Sequence, residues 1–256
     1  MKCLKALFLV LLSLFPVITL NAAPAQPVAV VVSAAASLTD LMNEAKIAFE
    51  AEHSGVRIDL NFAATGVLQT QIEQGAPVAV FAGASSDNLA ALNKKGLLDE
   101  KLMKVLCGNT LTLLLRPGLT LPGAGSFAQV TDPLLKRIAV GDPQYVPAGK
   151  YAITLLTKLN LAESVRPKLV YASNVREALT WVGLGEVDAA IVYNTDAITA
   201  KGLQVQATTK PDELKIEYGI AVTKIGSQIP GSYQFVAFLT GDQGRKLLKK
   251  YGFLTD

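Results

Sequence analysis

Histidine and cysteine are nearly missing from this chain: among 256 residues there is one histidine, His53, and two cysteines, Cys3 and Cys107. A zinc site built from such ligands takes four of them, so none can be assembled. A nucleophilic relay would have to use His53, which sits in a polar Glu52-His53-Ser54 context at the end of a helical pattern. No G-x-S-x-G elbow accompanies it. Charge of one sign is missing as well. The formal net charge is +3, and two of the basic residues, Lys2 and Lys5, lie in an N-terminal stretch without acids. The remaining body is nearly neutral, which leaves no electrostatic footprint for nucleic acid or an anionic membrane surface.

Nucleotide-binding loops are absent too. Residues 141–150 have Gln144 where a phosphate loop needs its first glycine and Tyr151 where it needs Ser or Thr. Gly183-Leu184-Gly185 lacks a third glycine and follows no strand, so a dinucleotide fingerprint fails.

The first 25 residues have the layout of a secretory signal. Lys2 and Lys5 precede an apolar run over 6–20, broken by Ser13, Pro16 and Thr19, and Ala22, Ala23, Pro24 and Ala25 follow. The run is too short and too proline-broken to span a bilayer comfortably. Cleavage between 22 and 25 and export to the periplasm are expected. Cys3 precedes the apolar run, where a lipid-modified cysteine cannot sit. Its loss leaves Cys107 alone, so no intrachain disulfide can form.

The rest of the chain alternates short Val/Ile-rich runs with helical patterns, the signature of an α/β protein with mainly parallel sheets. Strands are expected at 28–32, 58–62 and 78–82, with helices at 38–53, 66–74 and 88–95. A break around 106–122 precedes a second series: strands at 138–140, 169–172 and 189–193 and helices at 149–159 and 175–182. Strands at 110–116, 203–208 and 216–223 and helices at 233–239 and 243–251 complete the pattern. Two lobes joined by crossing strands follow: 26–106 plus 219–256, and 107–218.

One arrangement recurs. A strand ends, a few small or hydroxyl residues follow, and a helix begins: Ser33 to Ser37, Ala63-Ala64-Thr65-Gly66, Gly141 to Gly149, and Ser173-Asn174-Val175. In open parallel sheets such turns share the carboxyl edge, where ligands bind. Each helix start offers unpaired N–H groups and the positive end of a dipole, and four of them suit a small anion. Taken singly, Ser37 and Thr65 also read as plain helix N-caps, Ala148-Gly149 as relief of a tight turn, and Tyr193 as an ordinary strand aromatic.

Six segments carry a resemblance: Ser33-Ala-Ala-Ala-Ser-Leu-Thr39, Gln71-Ile-Glu-Gln-Gly-Ala-Pro77, the run from Ala139 to Ala152 containing Gly-Asp-Pro-Gln-Tyr-Val-Pro-Ala-Gly, Asn174-Val-Arg-Glu-Ala-Leu179, Ile191-Val-Tyr-Asn-Thr-Asp-Ala197 and Tyr251-Gly-Phe253. In these the chain resembles the periplasmic molybdate-binding proteins of ABC transporters, from about Val28 to Phe253. The resemblance implies a two-lobed, type II periplasmic-binding fold that clamps molybdate or tungstate between its lobes and serves a transmembrane permease. It implies a monomer without cofactor and without enzymatic activity. The implied oxyanion contacts are Ser37 and Thr65 in the first lobe and Ala148, Val175 and Tyr193 in the second. Ser37 and Thr65 would donate through N–H and hydroxyl, Ala148 and Val175 through N–H, Tyr193 through its phenol. Lys150 and Arg176, beside these turns, are expected to attract the anion at long range without touching it.

Three positions depart from the family's pattern: Ala79 replaces an acid, Gly83 a serine, and Thr65 another serine. Molybdate is a dianion that only accepts hydrogen bonds, so a site of pure donors leaves the proton of a phosphate unpaired. That rejection is worth roughly 1–3 kcal/mol. Sulfate has the same charge and shape and is excluded only by size. Sulfate or another small anion is therefore the alternative ligand, and a periplasmic enzyme using the same cleft the alternative class.

Overall fold

The computed structural model describes residues 26–123 and 125–255, so the expected signal segment and Cys3 lie outside the described residues. In chain order the elements are β1 (Val28–Ala35), α1 (Thr39–Glu52), β2 (Val56–Ala63), α2 (Thr65–Glu73), β3 (Val80–Gly83), α3 (Ser86–Lys94), β4 (Leu98–Gly108) and β5 (Leu111–Leu115). There follow β6 (Ile138–Gly141), α4 (Pro147–Lys158), α5 (Ala162–Val165), β7 (Leu169–Ala172), α6 (Val175–Leu184), β8 (Ala189–Tyr193) and α7 (Asn194–Thr199). The chain ends with β9 (Gln204–Thr208), β10 (Glu217–Thr223), α8 (Pro230–Thr240) and α9 (Asp242–Lys250).

Ten strands form two five-stranded sheets, ordered β2-β1-β3-β10-β4 and β7-β6-β8-β5-β9. In the first, β1 lies parallel to β2 and β3, while β10 runs antiparallel to β3 and β4. In the second, β6 lies parallel to β7 and β8, while β5 runs antiparallel to β8 and β9. Each sheet thus has one reversed strand. In both cases it is the strand by which the chain arrives from the other sheet: Asn109 and Thr110 make the outward crossing, and 209–216 the return. Val30, Val32 and Ala34 of β1, and Ile138, Ala139 and Val140 of β6, are fully buried, as strands covered on both faces must be.

The structure corrects the sequence reading in three places. β4 was not expected; its Asp99, Glu100, Lys101 and Lys104 suggest a loop, but they lie on an edge strand whose outer face meets solvent. The short helices α5 and α7 also escape a pattern that needs several turns to register. β1 extends to Ala35 rather than Val32, and a single 3₁₀ turn over Ala36–Leu38 leads into α1. His53 is half-buried at the end of α1: its ring stacks on Phe49 at 4.0 Å and its Nδ1 lies 3.0 Å from the Phe49 carbonyl. Cys107 is buried, and burial pushes its thiol pKa well up, so it packs as an inert apolar group. Among the described residues no helix is long and apolar enough to cross a membrane.

Candidate functional site

The carboxyl ends of β1, β2, β6 and β7 and the helix starts that follow them converge on one small cavity between the sheets. Its lining includes Ser37, Thr65, Ala148, Val175 and Tyr193 together. Its volume is about 10 Å³, the order of space that seats one small guest. The rest of the wall is alanine, valine, proline and Asn174, and no charged residue lines it.

The backbone donors are left free by the local structure. Among the turn, loop and cap hydrogen bonds of the described residues, none takes the N–H groups of Ser37, Thr65, Ala148 or Val175. Thr65 and Val175 each open a helix and Ala148 is second in its own, where intrahelical acceptors do not exist. At α6 the reason is explicit. Asn174 caps the helix, its Oδ1 accepting from Arg176 N–H at 3.0 Å and Glu177 N–H at 3.1 Å, and this leaves the Val175 N–H for the cavity. At α4 a close approach is needed: a Cβ on Gly149 would meet the Gly141 carbonyl oxygen at 1.8 Å. Only glycine lets the helix start come down onto the end of β6.

The hydroxyls behave differently from caps. Neither Ser37 nor Thr65 caps a helix. Ser37 Oγ lies 2.9 Å from the Tyr218 hydroxyl, and Thr65 Oγ1 accepts the Ala84 N–H at 3.1 Å. The phenolic oxygen of Tyr193 is buried without any partner. Burial raises its pKa well above the ordinary phenol range, so it stays protonated and can donate. An orphaned buried hydroxyl in a cavity wall costs roughly 1–3 kcal/mol unless a guest accepts from it.

The lobes touch around this cavity. Gly66 N–H donates to the Tyr145 carbonyl at 2.9 Å, so close that a Cβ on Gly66 would meet that oxygen at 2.8 Å. Lys150 pairs with Asp87 at 2.8 Å and Arg176 with Asp40 at 2.7 Å, each across the cleft. Arg176 Nε also lies 2.7 Å from the carboxylate of Asp196, which is fully buried. Burial pushes the Asp196 pKa up to about 7 despite the guanidinium beside it. Lys150 and Arg176 are thus rim residues that tie lobe to lobe, and neither lines the cavity.

The departures noted in the sequence acquire a geometry. A Cβ on Gly83 would come within 2.9 Å of the Thr65 side-chain methyl. Glycine at 83 and threonine at 65 therefore share one volume, and the methyl gained at 65 fills the space left at 83. Ala79 is buried with its backbone tied to Val31 and Thr223, and it does not line the cavity. What sequence reasoning missed is the layer behind the donors, Tyr218 and Asn109, for which no local pattern gives a signal. Among the described residues no three His, Cys, Asp or Glu side chains cluster to hold a metal ion.

Two α/β lobes closed over a cavity walled by neutral hydrogen-bond donors define a solute-binding protein of the periplasmic type II fold. The chain belongs to the bacterial extracellular solute-binding protein family, whose model matches residues 30–254. It is 35% identical to the molybdate-binding protein ModA of Escherichia coli over 230 residues, 88% of each chain. Among solved structures, the periplasmic molybdate-binding protein of Azotobacter vinelandii superposes with a TM-score of 0.79 at 20% identity, covering 89% of this chain and 99% of the other. The sulfate-binding protein SubI of Mycobacterium tuberculosis gives 0.78 at 18% identity, covering 88% and 86%, and so shares the fold.

Proposed function

We propose that the protein captures molybdate, or the isostructural tungstate, between its lobes in the periplasm and delivers it to the permease of an ABC transporter. In this reading the lobes are those expected from the sequence, 26–106 plus 219–256 and 107–218, except that Cys107-Gly108 and Glu217-Tyr218 join the first through β4 and β10; the first 25 residues are a cleaved signal, and the protein acts as a monomer. Ser37 and Thr65 donate through N–H and hydroxyl, Ala148 and Val175 through N–H, and Tyr193 through its phenol. The observation that carries the reading is the Tyr193 hydroxyl, buried and unpartnered in the wall where free N–H groups of both lobes converge. A guest that satisfies all of them must be a small acceptor with several oxygens, and a tetrahedral dianion is such a guest. The wall contributes no carboxylate to accept a proton from the guest, which favours fully deprotonated anions.

Calorimetry of the exported form with molybdate, tungstate, sulfate and hydrogenphosphate tests this. Molybdate and tungstate should bind at least about ten-fold more tightly than sulfate, a difference of ~1.4 kcal/mol. Sulfate binding as tightly as molybdate would assign the cavity to sulfate instead. Heat from none of the four would end the oxyanion reading.

A further inference from the structure

Behind Ser37 lies a chain of buried polar groups that reaches both crossings between the lobes. Asn109, in the outward crossing, has its amide orientation fixed: Oδ1 accepts the Thr110 N–H at 2.9 Å, and Nδ2 donates to Thr195 Oγ1 at 3.0 Å. The same Nδ2 donates to the Tyr218 hydroxyl at 3.3 Å. Tyr218, on β10 just after the return crossing, is fully buried, and burial raises its pKa well above the ordinary phenol range, so it keeps its proton. Its oxygen already accepts from Asn109, and its hydroxyl lies 2.9 Å from Ser37 Oγ, a contact in which either oxygen can donate; the bond accepted from Asn109 favours sending the Tyr218 proton to Ser37. In that arrangement Ser37 Oγ accepts, and its own proton is left for the cavity. Thr65 is set the same way, its oxygen occupied by the Ala84 N–H.

Resting on the oxyanion reading above, we infer that Tyr218, oriented by Asn109, is a positioning residue that turns the Ser37 proton to the guest and thereby strengthens the preference for fully deprotonated anions. A hydroxyl free to rotate can either donate to an anion or accept from one. The Asn109–Tyr218–Ser37 chain engages the serine oxygen from behind and turns its proton to the cavity, which disfavours the second option. A monoprotonated anion such as hydrogenphosphate then has a proton with nowhere to go, while sulfate, of similar size and equal charge, has none. Tyr218 does this without touching the guest, since it does not line the cavity.

The test is calorimetry of the parent, Tyr218→Phe, Ser37→Ala and the double variant, against molybdate, sulfate and hydrogenphosphate at mildly alkaline pH. The quantity read is the ratio of sulfate to hydrogenphosphate affinity, which cancels general loosening of the cleft. Tyr218→Phe frees Ser37 to accept, and the ratio should fall at least about five-fold, the least that a paired rather than unpaired donor is worth. In the Ser37→Ala background the same substitution should leave the ratio unmoved. Asn109→Asp keeps the side-chain shape but puts an acceptor against Tyr218. It should turn the chain round and lower the ratio as Tyr218→Phe does, which covers the case of a Tyr218 variant that does not fold. A folded Tyr218→Phe or Asn109→Asp with the parent's ratio overturns the inference. A fall that persists undiminished in Ser37→Ala overturns it too, since the effect would not pass through Ser37. If the parent binds sulfate and molybdate, these failures leave the oxyanion reading standing; if it binds no anion, both fall.

Discussion

Replacing Tyr193 by phenylalanine should weaken anion binding and at the same time make the empty protein close more readily. The two effects share one cause. In the closed lobes the phenol oxygen is buried with no partner in the protein, while phenylalanine keeps the ring and its packing at 5.5 Å from the Tyr218 ring. With anion present, the lost hydrogen bond to a charged acceptor is worth ~1.5–3 kcal/mol, a loss of roughly ten- to 150-fold in affinity. With the cleft empty, the variant is relieved of an unsatisfied buried hydroxyl, which favours the closed form by ~1–3 kcal/mol. Calorimetry with molybdate reads the first effect. Small-angle scattering of the unliganded proteins reads the second, the variant showing the smaller radius of gyration. A purely structural role for Tyr193 predicts lower stability with affinity unchanged. Affinity within three-fold of the parent would refute the assignment of this phenol as a donor, whatever happened to closure.

Three further outcomes are expected. Val175→Pro removes one N–H at the first position of α6, where proline is tolerated, and should bind molybdate at least about ten-fold more weakly while its circular dichroism stays native; Val175→Ala should bind nearly as the parent does. Equal binding by a folded proline variant would remove Val175 from the site. Gly83→Ala should destabilise by ~1–3 kcal/mol through overpacking on the Thr65 methyl, and Thr65→Ser in the same protein should restore part of that, giving a coupling above ~0.5 kcal/mol in denaturant unfolding. Strict additivity would mean that the two positions do not share their volume. Asp196 has a folded-state pKa raised from 3.8 to about 7, so between those values the unfolded chain is ionised and the folded one protonated. Stability present below the lower value is therefore lost as pH rises through this window, and Asp196→Asn should flatten that slope in melting curves taken across it. Parallel curves for parent and variant would show that Asp196 is ionised in the folded protein.

The donor turns were legible because each is a local event: a Val-rich strand, small or hydroxyl residues, a helix start. Periodicity locates such junctions even when it errs by three residues, as it did at the end of β1. The identity of a donor was less legible than its position. Ser37 and Thr65 suit a cap as well as a ligand, and only the tertiary partners, Tyr218 and the Ala84 N–H, separate the two roles. β4 escaped because an edge strand facing solvent carries the charges of a loop. Tyr218 escaped for a different reason: it lies 181 positions from Ser37, and nothing in either local sequence refers to the other. The exchange of volume between Thr65 and Gly83 was visible as two separate oddities and became one fact only in three dimensions.

The same orphaned groups explain why such a cleft would close on its ligand and not without it. Closing the empty lobes removes water from four helix-start N–H groups that no turn or cap bond takes and from the unpartnered Tyr193 hydroxyl. At ~1–3 kcal/mol for each unpaired donor the cost is several kcal/mol. Water, the guest at hand without an anion, makes only ~2–4 hydrogen bonds. Against this, closure without ligand gains the Gly66–Tyr145 hydrogen bond and two ion pairs. The Lys150–Asp87 pair is 60% and 75% exposed, and pairs of that kind contribute ~0–1 kcal/mol. Arg176–Asp40 is better shielded, but Arg176 is already held by Asp196 within its own lobe, so closure adds a second partner rather than a first. The contacts between the lobes are therefore of the same size as the penalty or smaller, and the balance tips only when an anion accepts from these donors together. A guest that satisfies fewer of them, through a proton in the wrong place, loses the closed state as well as the contact.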